Sequence, residues 1–204
     1  MSDTAQDLYL TVESALRAPE FKVKGSSFIS DILPVANKEA IDDALTSIRK
    51  EFYDATHHCF AYRLGPTGSN LRAADDGEPS GTAGRPILLV LTSAKLTDTL
   101  IVVTRYYGGT KLGTGGLARA YAEAAQQAVS MAKIKQVFLM QEITLTYSFD
   151  DMSHVERMLS QYEAIKGDAI YLDSVQQKVQ LRRSRVEPFI AHIVESLNGR
   201  VGIN

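Results

Sequence analysis

Residues 105–118 read RYYGGTKLGTGGLA, with five glycines, two adjacent tyrosines and two cations in fourteen positions. Glycines between a strand and a helix present bare backbone N–H groups and the positive end of a helix dipole, a setting that suits an anion. Arg105 and Lys111 add positive charge, and no acid lies between Thr99 and Ala122. Thr114 is placed to cap the helix, with Gly115 and Gly116 in its first turn. Phosphate is the chemistry such a stretch would serve. The same glycines, Gly108 and Gly109 included, serve equally well for positive φ and for close packing of helix on sheet, and the residues alone leave both uses open.

Two stricter phosphate motifs fail. Gly108 and Gly113 have the spacing of a Walker loop, but Thr114-Gly115 stand where Lys-Ser/Thr is required. Gly113, Gly115 and Ala118 match G-x-G-x-x-A, yet they begin well after the strand and no acid follows about 20 residues on to hold a ribose. The chain is neither a Walker ATPase nor a Rossmann dehydrogenase.

Asp75-Asp76-Gly77-Glu78 puts three carboxylates in four residues, donors that could hold a hard cation such as Mg2+. The commoner identity of such a stretch is an Asx-type turn that caps a helix, beginning here at Ser80 or Thr82, and no metal site is expected. His57 and His58 alternate across a strand and do not share an ion. One is expected inside and the other exposed; Cys59 beside them has the wrong geometry for a Cys–His nucleophile. Arg182-Arg183-Ser184-Arg185 could touch phosphates, but from Leu139 onward seven Lys or Arg face nine Asp or Glu. A solvated strand end is its ordinary identity.

Positioning these residues falls to elements whose periods are legible. Residues 20–35 read as extended chain broken at Gly25, and Ile41, Leu45, Ile48 and Phe52 repeat with helical spacing. Residues 58–64 suit a strand and 99–107 a central one; Leu117, Tyr121, Ala124, Ala125 and Ala128 mark a helix ending near Lys135. Beyond it come a strand through Ile143, Leu145 and Tyr147, a helix through Met152, Val155 and Leu159, and strands at 169–172 and 175–181. A helix opened by Glu187-Pro188 and a short strand at 201–203 complete a β-α-β-β-α-β order, the ferredoxin-like split unit. The fold class is α+β, divided into domains 1–136 and 137–204.

The 204 residues are 45% hydrophobic and 23% charged, an ordinary globular composition. A net charge of −2 gives no global case for nucleic acid, so any such case is local. The single cysteine, Cys59, excludes an internal disulfide and fits a reducing, cytoplasmic location. The longest aliphatic run, 87–91, is far short of the ~20 residues that span a bilayer. The start, MSDTAQDLYLTVES, carries acids and lacks the cationic region of a signal peptide.

Three blocks are more specific than any single glycine motif: His57-His58-Cys59, ADDGEPSGTAGRPIL at 74–88, and VVTRYYGGTKLGTGGLARAY at 102–121. Together, in that order, they resemble the IMPACT family of YigZ-like proteins. The resemblance implies an N-terminal domain with the ribosomal protein S5 domain 2-like fold, a C-terminal ferredoxin-like domain similar to the last domain (domain V) of elongation factor G, and a link to translation. The family's first block usually carries a basic residue before its aromatic. Here Ser27 precedes Phe28, although Lys22 and Lys24 remain, and Arg85 stands where lysine is common.

The leading expectation is a non-enzymatic binder of RNA or the ribosome, acting through the RYYGG and DDGEPSGTAG loops. Arg85, Arg105, Lys111 and Arg119 would meet phosphates, Gly108, Gly109, Thr114, Gly115 and Gly116 would offer the loop and helix start, and Tyr106 or Tyr107 would stack an unpaired base. His57, His58, Asp75, Asp76 and Glu78 complete the binding set. The alternative is an enzyme on a phosphorylated or nucleotide-like small molecule, with Mg2+ at the acidic loop and His57 or His58 as general base. No nucleophile, base and orienting group can be assembled, so no catalytic residue and no cofactor are expected. A translation-associated protein partner would use the same tyrosines and arginines; membrane binding and sequence-specific DNA binding are not expected.

Overall fold

A computed structural model describes residues 7–204. The first six residues of the acidic start set against a signal peptide lie outside the described residues. In chain order the elements are β1 (Leu8–Val12), β2 (Leu16–Arg17), β3 (Phe21–Val23), β4 (Ser26–Pro34), α1 (Lys38–Glu51), β5 (His57–Leu64), β6 (Asn70–Ala74), α2 (Gly84–Ser93), β7 (Thr99–Tyr106) and α3 (Gly113–Met131). They continue with β8 (Ile134–Phe138), β9 (Met140–Tyr147), a 3-10 turn, α4 (Met152–Gln161), β10 (Ile165–Tyr171), β11 (Val175–Arg182), α5 (Arg183–Ser196) and β12 (Gly202–Ile203). The protein is α+β, in two compact units: Tyr9–Val137, and Phe138–Asn204 with Asp7 and Leu8.

In the first unit β7 lies at the centre of a sheet ordered β2-β4-β7-β5-β6, with β3 paired on β4. Its run TLIVVTRY is aliphatic on both faces because helices cover both. Leu100 and Val102 pack towards α1, with Ile41, Leu45 and Ile48. Ile101 and Val103 point the other way, into a core shared with Ile87 and Leu91 of α2 and Leu117, Tyr121 and Ala125 of α3. Arg105 has the parity of Ile101 and Val103, so it enters beneath α2 and α3 rather than facing water. The small side chains of Ala120, Ala124 and Ala128 let α3 lie close on the sheet, where the Tyr121 ring meets Phe28 edge-on at 5.2 Å.

α3 stops at Met131, short of the end expected near Lys135. Ala132 turns extended (φ −71°, ψ 140°), and Ile134–Phe138 instead forms β8, which pairs with β1 in a two-stranded sheet. β1 and β2 have no counterpart among the expected elements, because each is too short to display a period.

The second unit has the antiparallel order β10-β11-β9-β12. One face of this sheet supplies Ile143, Leu145, Tyr147, Val179 and Leu181 to a core with Val155 and Leu159 of α4 and Phe189 and Ile193 of α5. α5 begins at Arg183 and carries Pro188 inside it, so Glu187-Pro188 is not its start. The Asp7 carboxylate fixes that earlier beginning, accepting from the Ser184 N–H at 2.8 Å and its hydroxyl at 2.7 Å. Among the described residues no helix is long and apolar enough to cross a membrane.

Candidate functional site

The acidic turn divides its three carboxylates among three tasks. Asp75 accepts from the N–H groups of Gly81 (2.8 Å), Ala83 (3.0 Å) and Gly84 (2.8 Å), and so caps α2 from upstream. Burial pushes the Asp75 carboxyl up, but those N–H bonds pull harder and hold it below its ordinary range. The helix starts at Gly84, not at Ser80 or Thr82, and Thr82 Oγ1 donates to the Pro79 carbonyl instead. Asp76 takes the His58 N–H at 2.7 Å and an Arg49 bond at 3.2 Å. Glu78 turns inward. The three carboxylates thus do not converge as the alternative reading's Mg2+ site requires, and among the described residues no cluster of three or more His, Cys, Asp or Glu is placed to hold a metal.

Glu78 anchors a buried polar cluster. Its Oε1 accepts from Arg105 Nη1 at 2.5 Å and from the Tyr121 hydroxyl at 2.7 Å. Arg105 Nη2 reaches Ser26 Oγ at 3.1 Å, and its guanidinium carbon lies 5.5 Å from the Phe28 ring centre and 5.6 Å from that of Tyr107. The side chains of Arg105 and Glu78 are 5% and 4% exposed. Arg105 is thus not the open phosphate hook expected from sequence: a cation under two helices needs a counter-charge at hand, and Glu78 supplies it. Cys59 Sγ sits 3.0 Å from the Asp75 carbonyl and 3.3 Å from the Tyr121 hydroxyl, and burial pushes its thiol up to about 12. That thiol is inert as a nucleophile at neutral pH.

The histidines take different roles. His58 is buried, its Nε2 3.1 Å from the Phe52 carbonyl, and burial holds its imidazole below the ordinary range. His57 is partly exposed, its Nδ1 2.8 Å from the Asp76 carbonyl and its Nε2 3.8 Å from Glu78 Oε1. A carbonyl at Nδ1 demands a proton there.

Above the Arg105–Glu78 pair lies a hollow of about 340 Å3, walled by Pro79, Tyr107, Leu112 and Leu117 and by Lys111, Gly113 and Thr114. The loop leading to it depends on glycine in two ways. A Cβ on Gly108 would stand 1.9 Å from the Gly25 carbonyl carbon, so two backbones meet there without side chains. Gly109 and Gly113 adopt φ of 82° and 71° with open space around them. Thr114 is not the cap: α3 begins at Gly113 after Leu112, and no side chain bonds to its first N–H groups. A helix of nineteen residues therefore opens onto the hollow with its positive end uncapped.

The structure brings Glu78, Arg105, Tyr107, Lys111 and Thr114 together in this hollow. Tyr106 points to the α1 side, where its hydroxyl donates to Asp54 at 2.8 Å. Arg119 lies along α3 in a neighbouring hollow of about 370 Å3 with Phe21, Lys24 and Glu123, and Arg85 is exposed on α2. Gly115 and Gly116 sit in the first turn of α3, and His57, His58, Asp75 and Asp76 lie behind the floor rather than in the hollow. Among the described residues Lys24, Arg85, Lys111 and Arg119 make no ion pair, whereas two of the three arginines in the basic run of the second unit, Arg182 and Arg185, pair with Glu163. Sequence reasoning missed Tyr121 and Ser26 as polar members of the cluster; a tyrosine in an apolar helical stripe was the one available signal.

Residues 24–129 match the Impact N-terminal domain, and residues 145–200 match a domain of unknown function, DUF1949. The chain is 32% identical to the IMPACT family member YvyE of Bacillus subtilis (strain 168) over 195 residues, covering 96% of this chain and 89% of that protein. It is 34% identical over 180 residues to the IMPACT family member YigZ of Escherichia coli (strain K12), covering 87% and 88%. A crystal structure described as that of a hypothetical protein matches with a TM-score of 0.69 at 32% identity and covers 97% of both chains.

Proposed function

The chain belongs to the IMPACT family, and on that premise we propose that it is a non-enzymatic, translation-linked protein that binds RNA or the ribosome at the hollow beside α3. One observation carries this reading: an uncapped helix start opens beside Lys111, over a floor whose buried cation is already paired. Bare N–H groups, a dipole end and a lysine without an ion-pair partner favour a phosphate, and the paired floor adds no net charge to repel or overbind it. Arg119 on α3 and Lys24 in the turn between β3 and β4 add positive charge in the neighbouring hollow, beside Glu123.

The topology supports a finer fold reading, in which the first unit has the ribosomal protein S5 domain 2-like fold. The β-α-β-β-α-β order of the second unit, with strands ordered β10-β11-β9-β12, suits a ferredoxin-like domain similar to the last domain of elongation factor G. Recurrence of such folds in translation machinery is analogy, and the site carries the functional weight. Labelled single-stranded RNA and ribosomes titrated against the wild type and the Lys111→Ala/Arg119→Ala variant test the proposal. Loss of binding in the variant supports it. Binding equal to wild type overturns it, and a nuclease-insensitive pull-down would then point to a protein partner.

A further inference from the structure

We infer that the hollow beside α3 takes a single unpaired nucleotide, its phosphate on the α3 start and Lys111, its base on Tyr107 and its base edge on the Glu78–Arg105 floor. The inference rests on the anion-binding reading above and narrows it to a ligand class. A helix start alone is commonplace. What distinguishes this one is that Glu78, its side chain 4% exposed, lines the same hollow and keeps Oε2 free of any hydrogen bond from the described residues. A carboxylate oxygen withdrawn from water without a donor is costly, and a ligand N–H would relieve it.

The floor offers an acceptor to a ligand. Glu78 Oε1 is taken by Arg105 and Tyr121, and Oε2 accepts from no described residue. That free acceptor suits the N–H group that every nucleobase carries on its base-pairing edge. Paired bases have that edge occupied and their faces stacked, so a duplex cannot present it; an unpaired base can.

The walls agree with this ligand better than with phosphate alone. Pro79, Leu112 and Leu117 are apolar, and the Tyr107 ring is 47% exposed and held near the Arg105 guanidinium. Inorganic phosphate would leave those surfaces bare, whereas a base would cover them. At about 340 Å3 the hollow falls at the small end of ligand sites, which run from about 300 to 1,000 Å3. It holds one lysine and one helix start, enough for one phosphate.

Calorimetric titration of the full chain at one fixed salt concentration, with adenosine and uridine 5′-monophosphates, ribose 5-phosphate and inorganic phosphate, tests the inference. The nucleotides are expected to bind at least about tenfold more tightly than ribose 5-phosphate, within the range that base–aromatic stacking supplies. Tyr107→Ala, with its thermal midpoint measured alongside to confirm folding, should erase that difference; Lys111→Ala should weaken all four ligands. Equal affinity for nucleotides and ribose 5-phosphate, or a nucleotide preference that survives Tyr107→Ala, overturns the inference. Salt-sensitive RNA binding without nucleotide binding overturns it while leaving the wider proposal standing. Nucleotide binding without RNA or ribosome binding supports it and sinks the wider proposal.

Discussion

Arg105 Nη1 lies 2.5 Å from Glu78 Oε1, 27 residues away in sequence, with both side chains almost wholly withdrawn from water. This pair converts what reads locally as a free cation into part of a rigid floor. Burying two charges is costly, and the extra bonds from Tyr121 and Ser26 offset part of that cost.

Breaking the pair from one side should therefore be severe. Glu78→Gln or Arg105→Ala alone is expected to cost about 3–5 kcal/mol in urea unfolding, because the remaining partner stays buried and uncompensated. Replacing both at once, as Arg105→Met with Glu78→Leu, should cost much less than the sum of the singles. Additive losses would mean that the two charges are independent.

Gly108 should be far less replaceable than its neighbour. An alanine there would drive its Cβ to 1.9 Å from Gly25 backbone, whereas at Gly109 the space is open and only the φ of 82° resists. Gly108→Ala is expected to lose about 3 kcal/mol or more, and Gly109→Ala about 1–2 kcal/mol. Thermal or urea unfolding of the two variants would reveal the order.

Asp75 makes α2 sensitive to acid. Its folded carboxyl titrates below its ordinary range, because the bonds from Gly81, Ala83 and Gly84 prevail over burial. Its stabilising contribution is thus present above the unfolded value of 3.8 and is lost as pH falls through the lower folded value. Asp75→Ala should cost about 1–2 kcal/mol at neutral pH and flatten the acid limb of the stability curve.

His58 adds a second slope at higher pH. Burial depresses its folded imidazole below 6.5, so the unfolded chain binds the proton more readily. Stability should fall as pH drops below about 6.5 and level off once the folded value is passed. His58→Gln, able to keep the bond to the Phe52 carbonyl, should remove that slope; an unchanged pH profile would assign it to another group.

Local periodicity made much of the fold legible. The aliphatic 99–107 run marked the central strand, the Leu117–Tyr121–Ala124 stripe marked the buried face of α3, and the DDG turn announced a helix cap, which Asp75 provides. What stayed hidden depends on distance along the chain. Glu78 neutralises Arg105 from another loop, and Asp7 starts α5 from 177 residues away. Nothing within a window of twenty residues signals either. Thr114 looked like a cap because its type favours one, but the turn at Gly113 places it inside the helix, leaving the N–H groups bare.

The most direct measurement is the salt dependence of single-stranded RNA binding by the wild type and Lys111→Ala. If α3 and Lys111 hold a phosphate, the wild type should lose affinity steeply with salt, and Lys111→Ala should bind more weakly with a log–log slope shallower by about 0.7, the share of one phosphate on a single strand. Identical slopes and affinities for the two proteins would contradict an anion site at this hollow.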